Sequence, residues 1–338
     1  PRQYKVLDFT AQQGDATLRV TGTLPRGTDP DVPLALDITA ERADMGPLST
    51  HFVPRGWTEM AAALGLSGRG SAHVRLRADE GEAGGAIADI GVTAEHVRPT
   101  RLPLELHSAR VRAQVSAGNV QVLDAQAGLG ERGTVSGAGT YTWGSNGSGG
   151  RFDLSAEKLE LNAELVAALP ERAARLLQRL TPSGELDLRL SEMRISGAER
   201  RTWDIAGVLA IRNGALELGL PLADFDGGLE GTCQILEDGD VNLDAALSIA
   251  RGKLADRQIS NWTGHLSYAA GGHWVLLEDL RGELCAGDAL GHARVDTESS
   301  AYEVSLTLQR VLFGELFPGK PSEEDTPPRA GLVDGRIE

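Results

Sequence analysis

Apolar and polar residues alternate along most of this chain, in short runs bounded by glycine or by Asn-Gly and Asp-Gly pairs. In the run 184–191, leucines occupy every second position, and Glu, Asp and Arg stand between them. A strand places successive side chains on opposite faces, so this pattern predicts one apolar and one polar face. The runs lie at 72–76, 111–115, 120–123, 184–191, 215–220, 241–245 and 302–308. We therefore predict a mainly β chain of antiparallel strands.

Residues that favour tight turns separate these runs. Turns are predicted at Ala117-Gly118-Asn119, at Asn213-Gly214 and at Asp238-Gly239. The Gly- and Ser-rich stretch 144–150 predicts a long hairpin loop.

Two kinds of strand-forming segment recur in the same order. One begins at positions 70, 184 and 331, and the other begins at positions 38, 154 and 306. Because the offsets of the two sets match, we predict a strand-rich repeat of about 115 residues, with extra strands inserted in the second of the three copies, which begins at position 184.

The repeat divides the chain into four predicted segments. Residues 1–69 end a first unit with a crossover helix near 57–65, and residues 70–183 form a second unit with a crossover helix near 163–180. Residues 184–330 form a third unit with extra strands and a Pro-rich acidic connector at 318–330, and residues 331–338 begin a fourth, truncated unit. The helix near 163–180 has the clearest signal, since Pro170 suits a first helical turn and leucines follow at helical spacing.

Charge and composition exclude some functions. The net charge of −15 disfavours binding to nucleic acid, whose phosphates an acidic surface repels. Two cysteines, Cys233 and Cys285, are too few to define the redox compartment or a disulfide scaffold. The first residue is Pro1, so we expect any targeting segment or membrane anchor to lie outside this sequence.

Two short motifs suggest cofactor or metal sites. The glycines of 128–133 fit a dinucleotide-binding fingerprint, but a strand-like segment follows where a helix is needed, which favours a hairpin. The oxygen-bearing side chains of 238–244 (Asp238, Asp240, Asn242 and Asp244) stand at alternate positions as in a calcium loop, yet Arg251 occupies the position that requires Glu. We predict no cofactor, no metal and no catalytic residues, and hence no enzyme.

Two stretches combine the strand repeat with its connections most distinctively: Leu154-Ser-Ala-Glu-Lys-Leu-Glu-Leu-Asn through Gly184-Glu-Leu-Asp-Leu-Arg-Leu, and Gly207-Val-Leu-Ala-Ile-Arg-Asn-Gly through Leu229-Glu-Gly. In these stretches and in the order of its elements, the chain resembles the AsmA-like and TamB-like proteins of bacterial envelopes. It implies an elongated, curved antiparallel sheet, a β-taco or repeating β-groove, with short crossover helices between repeats. It also implies a periplasmic, inner-membrane-anchored protein whose apolar groove carries phospholipid acyl chains between the inner and outer membranes.

The apolar faces of the predicted strands supply the candidate lipid-groove residues. They are Ala72, Val74, Leu76, Val111, Val115, Leu186, Leu188, Leu190, Leu216, Leu218, Leu243, Val304 and Leu306. Alternation alone fits either an open lipid groove or an ordinary closed core, because both require one apolar face per strand. A structural alternative is a scaffold of the cell envelope that assembles outer-membrane proteins through its sheet edges and conducts no lipid.

Overall fold

The computed structural model describes residues 3–25, 34–44, 68–78, 85–97, 104–144, 147–168, 174, 177–178, 180–196, 202–217, 221–237, 239–299, 301–312 and 332–337. The chain divides into two compact units. The first comprises 1–159 together with 193–200, and the second comprises 160–192 together with 201–338. The prediction of a mainly β chain built from antiparallel strands is confirmed.

The first unit is an antiparallel meander in which each strand pairs with the next along the chain. Its strands are β1 (Gln3–Gln13), β2 (Ala16–Pro25), β3 (Ala35–Asp44), β4 (Arg69–Ala78), β5 (Ala86–Val97), β6 (Leu106–Ser116), β7 (Asn119–Leu129), β8 (Gly133–Gly144) and β9 (Gly147–Glu160). Short connections are possible because neighbouring strands run in opposite directions. The predicted turn at Ala117-Gly118-Asn119 is confirmed, since Ser116 pairs with Asn119.

The second unit is also a meander. Its strands are β10 (Ser183–Ser196), whose last residues count with the first unit, β11 (Thr202–Glu217), β12 (Pro221–Ile235), β13 (Val241–Leu254), β14 (Arg257–Tyr268), β15 (Trp274–Leu284), β16 (Gly287–Asp296), β17 (Tyr302–Leu312) and β18 (Leu332–Ile337). From β11 to β18, each strand pairs antiparallel with the next. The Ser191 hydroxyl of β10 donates a hydrogen bond to the Ala206 carbonyl of β11, at 3.3 Å.

A β-bulge interrupts most of the strand pairs in the second unit. Register shifts occur between β11 and β12, between β12 and β13, between β14 and β15, between β15 and β16, and between β17 and β18. Residues with positive φ stand at these shifts, among them Asn213, Asp224, Asn261, Asp279 and Arg310. A bulge adds one residue to one strand, bends that strand and increases its twist.

The turn predicted at Asn213-Gly214 is wrong. Both residues lie inside β11, where the register shifts between Ile211 and Gly214 and where Asn213 has a φ of 49°. Asn tolerates the left-handed conformation in a bulge as readily as in a turn, so the residue types alone do not separate the two structures. The chain instead reverses direction after Glu217, beyond the position that the sequence suggested.

The long hairpin loop predicted at 144–150 is also wrong. β8 extends to Gly144 and β9 begins at Gly147, and these two residues face each other across the ladder. The glycines of this stretch continue into β9, where the ring of Phe152 occupies the space beside Gly139 and Gly150. Glycine at these positions leaves room for a neighbouring aromatic ring. A Gly-rich composition is also typical of loops, so the composition alone does not reveal this packing role.

One short helix, α1 (Ala163–Ala167), follows β9 at the beginning of the second unit. The Asn162 side chain caps it by accepting a hydrogen bond from the Leu165 amide at 3.0 Å, and Val166 is buried. This helix lies within the range predicted from the sequence. The predicted helix near 57–65 and the connector at 318–330 lie outside the described residues.

Glycine also allows Trp262 to lie flat across its neighbouring strand. A Cβ atom added at Gly282 of β15 would stand 2.2 Å from the Trp262 ring, and the Trp262 indole donates a hydrogen bond to the Glu283 carbonyl at 2.7 Å. Trp262 is only 6% exposed. The ring is therefore held by a glycine beneath it and by a backbone acceptor at its edge.

Gly282→Ala is expected to destabilise the second unit by about 1–3 kcal/mol, because the added methyl group must displace the Trp262 ring from a packed site. Gly91→Ala is the matched control, since Gly91 is also within a strand and its nearest backbone atom, the His73 carbonyl oxygen, would be 4.0 Å from the new methyl group. The control should be neutral or stabilise slightly. Urea unfolding of both variants measures the difference, and equal stability would contradict the packing described here.

Candidate functional site

The pairing registers of the first unit align apolar side chains in rows that cross the strands. One row contains Ile38, Val74, Ile90 and Ala113 on β3 to β6. Flanking rows contain Leu36, Leu76, Ala88 and Val115, and Ala40, Ala72, Val92 and Val111. These rows contain no charged residue, so β3 to β6 present one continuous apolar face.

Burial on this face of the first unit is uneven. Ala88, Ile90, Ala113, Val115 and Val120 form a buried cluster. Val74, Leu76, Val92, Val111, Val122 and Trp143 pack around that cluster and are only half-buried. The Trp143 ring stacks on Tyr141 with 6.3 Å between the ring centroids. One part of the face is therefore packed and buried, and the other part is accessible to solvent.

The second unit also has one apolar face, again built from rows without charges. One row runs Ile205, Cys233, Leu243, Tyr268, Val275, Val295 and Tyr302 from β11 to β17. The next row runs Gly207, Gly231, Ala245, Leu266, Leu277, Ala293 and Val304. Burial raises the pKa of the Cys233 thiol, as expected for a thiol among aliphatic side chains.

Burial on this second face increases along each strand towards the bulges. On β17, Tyr302 is 49% exposed, Leu306 is 7% exposed and Val311 is fully buried. The buried side chains of this face lie around and beyond the bulges and form one cluster, Leu222, Phe225, Ile249, Ile259, Trp262, Leu280, Leu284, Cys285, Ala289, Leu306, Leu308 and Val311. The two ends of the face therefore differ, since one is packed and the other is accessible to solvent.

The structure brings the predicted groove residues together within each unit. Ala72, Val74, Leu76, Val111 and Val115 share the apolar face of the first unit. Leu243, Val304 and Leu306 lie on the apolar face of the second unit, and Leu216 packs against its buried cluster.

The three predicted residues of β10 also face this way. Leu190 occupies the space above Gly207 of the apolar face, and strand alternation places Leu186 and Leu188 on the same side. Leu186 is buried, while Leu188 and Leu190 are half-buried. Leu218 lies outside the described residues.

Sequence reasoning missed several residues of these faces. Ile90 and Val92 were missed because Ile87 and Gly91, which stand at the alternate positions of β5, are not polar. Leu277 was missed because 274–277 of β15 is a continuous apolar run. In both strands, the pairing partner identifies the face, and no local pattern in the strand does so.

The opposite face carries ion pairs between neighbouring strands. In the second unit, Arg251 bonds Asp226 at 2.6 Å, Lys253 bonds Asp224 at 2.8 Å, and Arg212 of β11 pairs with Glu185 and Asp187 of β10. In the first unit the corresponding pairs are Arg19–Asp8, Arg75–Asp37, Arg77–Asp89 and Arg112–Asp124. Exposed pairs of this kind add little stability individually, but they define the solvated side of each meander.

Asp226 has a lowered pKa because the Asn213 amide donates a hydrogen bond to its carboxylate at 2.9 Å and because Arg251 pairs with it. A carboxyl group whose pKa is lowered by folding stabilises the fold above its unfolded pKa and loses that effect as pH falls through its folded pKa. Asp226→Asn should therefore be less stable than the original protein near pH 7, and the difference should shrink in acid. Denaturant unfolding at several pH values tests this, with Glu131→Gln, at an exposed turn position, as the control.

The structure supports the hairpin interpretation of the glycines at 128–133, because Leu129 pairs with Gly133 across the turn between β7 and β8. Two oxygen-bearing side chains of the calcium-like motif, Asn242 and Asp244, have other partners. Asn242 binds Gln234 and the Ala270 amide, and Asp244 lies 3.3 Å from His265. Within the part of the chain that the structure describes, no group of His, Cys, Asp or Glu side chains is arranged to hold a metal ion.

Comparison with protein-family models, with curated proteins and with solved structures gave no match. In the described ranges, no helix has both the length and the apolar character needed to cross a bilayer. The charge-free rows and their partial burial make the apolar face of each unit the candidate site, and its geometry is the basis for assigning a function.

Proposed function

We propose that the chain is a non-enzymatic lipid-binding module whose apolar faces hold the acyl chains of phospholipids. The observation that carries this proposal is the set of charge-free rows on one face of each unit, in which many aliphatic side chains stay half-exposed. A sheet with one apolar face requires cover from protein or from an apolar ligand.

The chemistry of these rows suits flexible hydrocarbon chains. Val, Leu, Ile, Ala and Gly supply most of the side chains, and aromatic residues make up 4% of the chain. A surface of small aliphatic groups has no polar group that selects one hydrocarbon chain over another, whereas a specific small-molecule site contains a few precisely placed polar atoms. Such a surface is suited to binding hydrocarbon chains in general and does not select a single compound.

The distribution of charge also favours this function. Arg, Asp and Glu side chains pair with one another on the opposite face, so the apolar face is left without a charge that an acyl chain would have to desolvate. The resemblance to AsmA-like and TamB-like proteins extends the proposal to a place in the cell envelope and to transfer of phospholipid between inner and outer membranes.

Phospholipid should co-purify with the protein, and it should contact the apolar face. A photoreactive benzophenone amino acid placed at Val92 should crosslink to phospholipid in cells, because Val92 is half-buried between Ala72 and Val111. The same probe at Thr93, which points to the opposite face and is exposed, should not. Mass spectrometry of the crosslinked protein identifies the adduct. Equal labelling at both positions, or lipid-free protein after gentle purification, would refute the proposal.

Val92→Asp should reduce the amount of bound phospholipid while the β circular dichroism signal is retained, because a carboxylate on a face that solvent reaches is hydrated when no lipid is present. Thr93→Asp is the control, since it introduces the same charge one residue away on the polar face. Lipid extraction and quantification compare the variants. Unfolding by Val92→Asp alone would indicate a closed core at this position.

A further inference from the structure

The two ends of the apolar face in the second unit differ in burial and in residue type. The end at which β14 joins β15 and β16 joins β17 has Tyr268 and Tyr302 on this face, and it is called here the tyrosine rim. The opposite end, beyond the bulges, has the buried cluster around Phe225, Trp262 and Val311, and it is called the bulged rim.

The aromatic side chains of the tyrosine rim combine apolar and polar character. Tyr302 is 49% exposed, and Trp203 and Tyr268 are half-buried. The Tyr268 hydroxyl donates a hydrogen bond to the Gly272 carbonyl at 3.0 Å, so its polar end reaches the turn while its ring stays on the apolar face. Tyr and Trp take such positions where hydrocarbon meets water, because the ring is apolar and the OH or NH group is not.

The length of the accessible part fits one acyl chain. Tyr268 and Trp262, the first buried residue of this face after Tyr268, are six positions apart in β14, which corresponds to about 20 Å of extended strand. The hydrocarbon of one bilayer leaflet is about 15 Å thick. A chain that starts at the tyrosine rim therefore ends close to the bulged rim, where packed side chains leave the face inaccessible.

We propose that the second unit binds zwitterionic phospholipid in one orientation, with the headgroup at the tyrosine rim and the acyl chains directed towards the bulged rim. This inference rests on the proposed function and adds the orientation and the headgroup class. The net charge of −15 disfavours an anionic headgroup, whereas a zwitterionic headgroup meets no net repulsion. The trimethylammonium or ammonium group of such a headgroup also interacts favourably with exposed aromatic rings.

Two photoreactive phosphatidylcholines test the orientation, one with a diazirine in the headgroup and one with a diazirine at the acyl terminus. Each is offered in vesicles to the whole protein, and crosslinked peptides are mapped by mass spectrometry. The headgroup probe should label the strand ends around Tyr268 and Tyr302, and the acyl probe should label β13 and β14 around Leu247 and Gly264, the half-buried positions next to the buried cluster. A reversed pattern, or the same peptides with both probes, would overturn the orientation while leaving lipid binding intact. Absence of bound lipid would overturn both proposals.

A substitution and a competition test the role of the rim and the headgroup class. Tyr302→Ala should weaken phosphatidylcholine binding by about threefold to tenfold, the range expected for loss of one aromatic contact. Thr307→Ala, on the polar face of the same strand, should have no effect. Phosphatidylglycerol with the same acyl chains should compete several-fold less well than phosphatidylcholine. Equal competition would exclude selection by charge, and an unchanged affinity of Tyr302→Ala would exclude the aromatic anchor.

Discussion

The structure depends on agreement between side-chain alternation and pairing register. Each strand separates its own side chains into two faces, but a continuous apolar face forms only if the apolar positions of neighbouring strands are opposite each other. In the first unit, Val74, Ile90 and Ala113 satisfy this condition across three strands. A slip of one residue would place Arg75 or Asp89 among them, so the hydrophobic effect enforces the register at every ladder.

The bulges let the register shift within a ladder while the apolar side chains stay on one face. Between Ala223 and Asp226, the register of β12 and β13 shifts, and Leu222 and Phe225 still join the same buried cluster on either side of the shift. The extra residue is accommodated by the left-handed conformation of Asp224. Bulges also increase local twist, and the most buried side chains of this face lie around and beyond them. A backbone feature therefore accompanies the change from exposed to packed side chains along this face.

The sequence predicts some of the strands and part of the contents of their apolar faces, because alternation is a local property. Residues 72–76, 111–115 and 241–245 all lie in strands, as their patterns indicate. The failures have a different origin. Asn213-Gly214 has the composition of a turn and forms a bulge, because the partner strand β12 continues beside it. The glycines of 144–150 have the composition of a loop and extend a hairpin, because Phe152 and Tyr141 need space that only glycine provides. Both outcomes depend on contacts with the neighbouring strand, and the residue pattern within one strand does not specify those contacts.

The same separation of faces explains how an acidic chain can present a surface suited to hydrocarbon. Carboxylates such as Asp224 and Asp226 pair with Lys253 and Arg251 on the polar face, where water hydrates the remaining polar atoms of these side chains. The hydrogen bond that the Lys253 ammonium group donates to the Asp224 carboxylate raises the pKa of Lys253. Because side chains alternate between the two faces of a regular strand, the charged side chains stay on one face. That face of each meander is hydrated and promotes solubility. The aliphatic rows on the other side are then free to differ in exposure along the strand, which is the property that would give a bound amphiphile a direction.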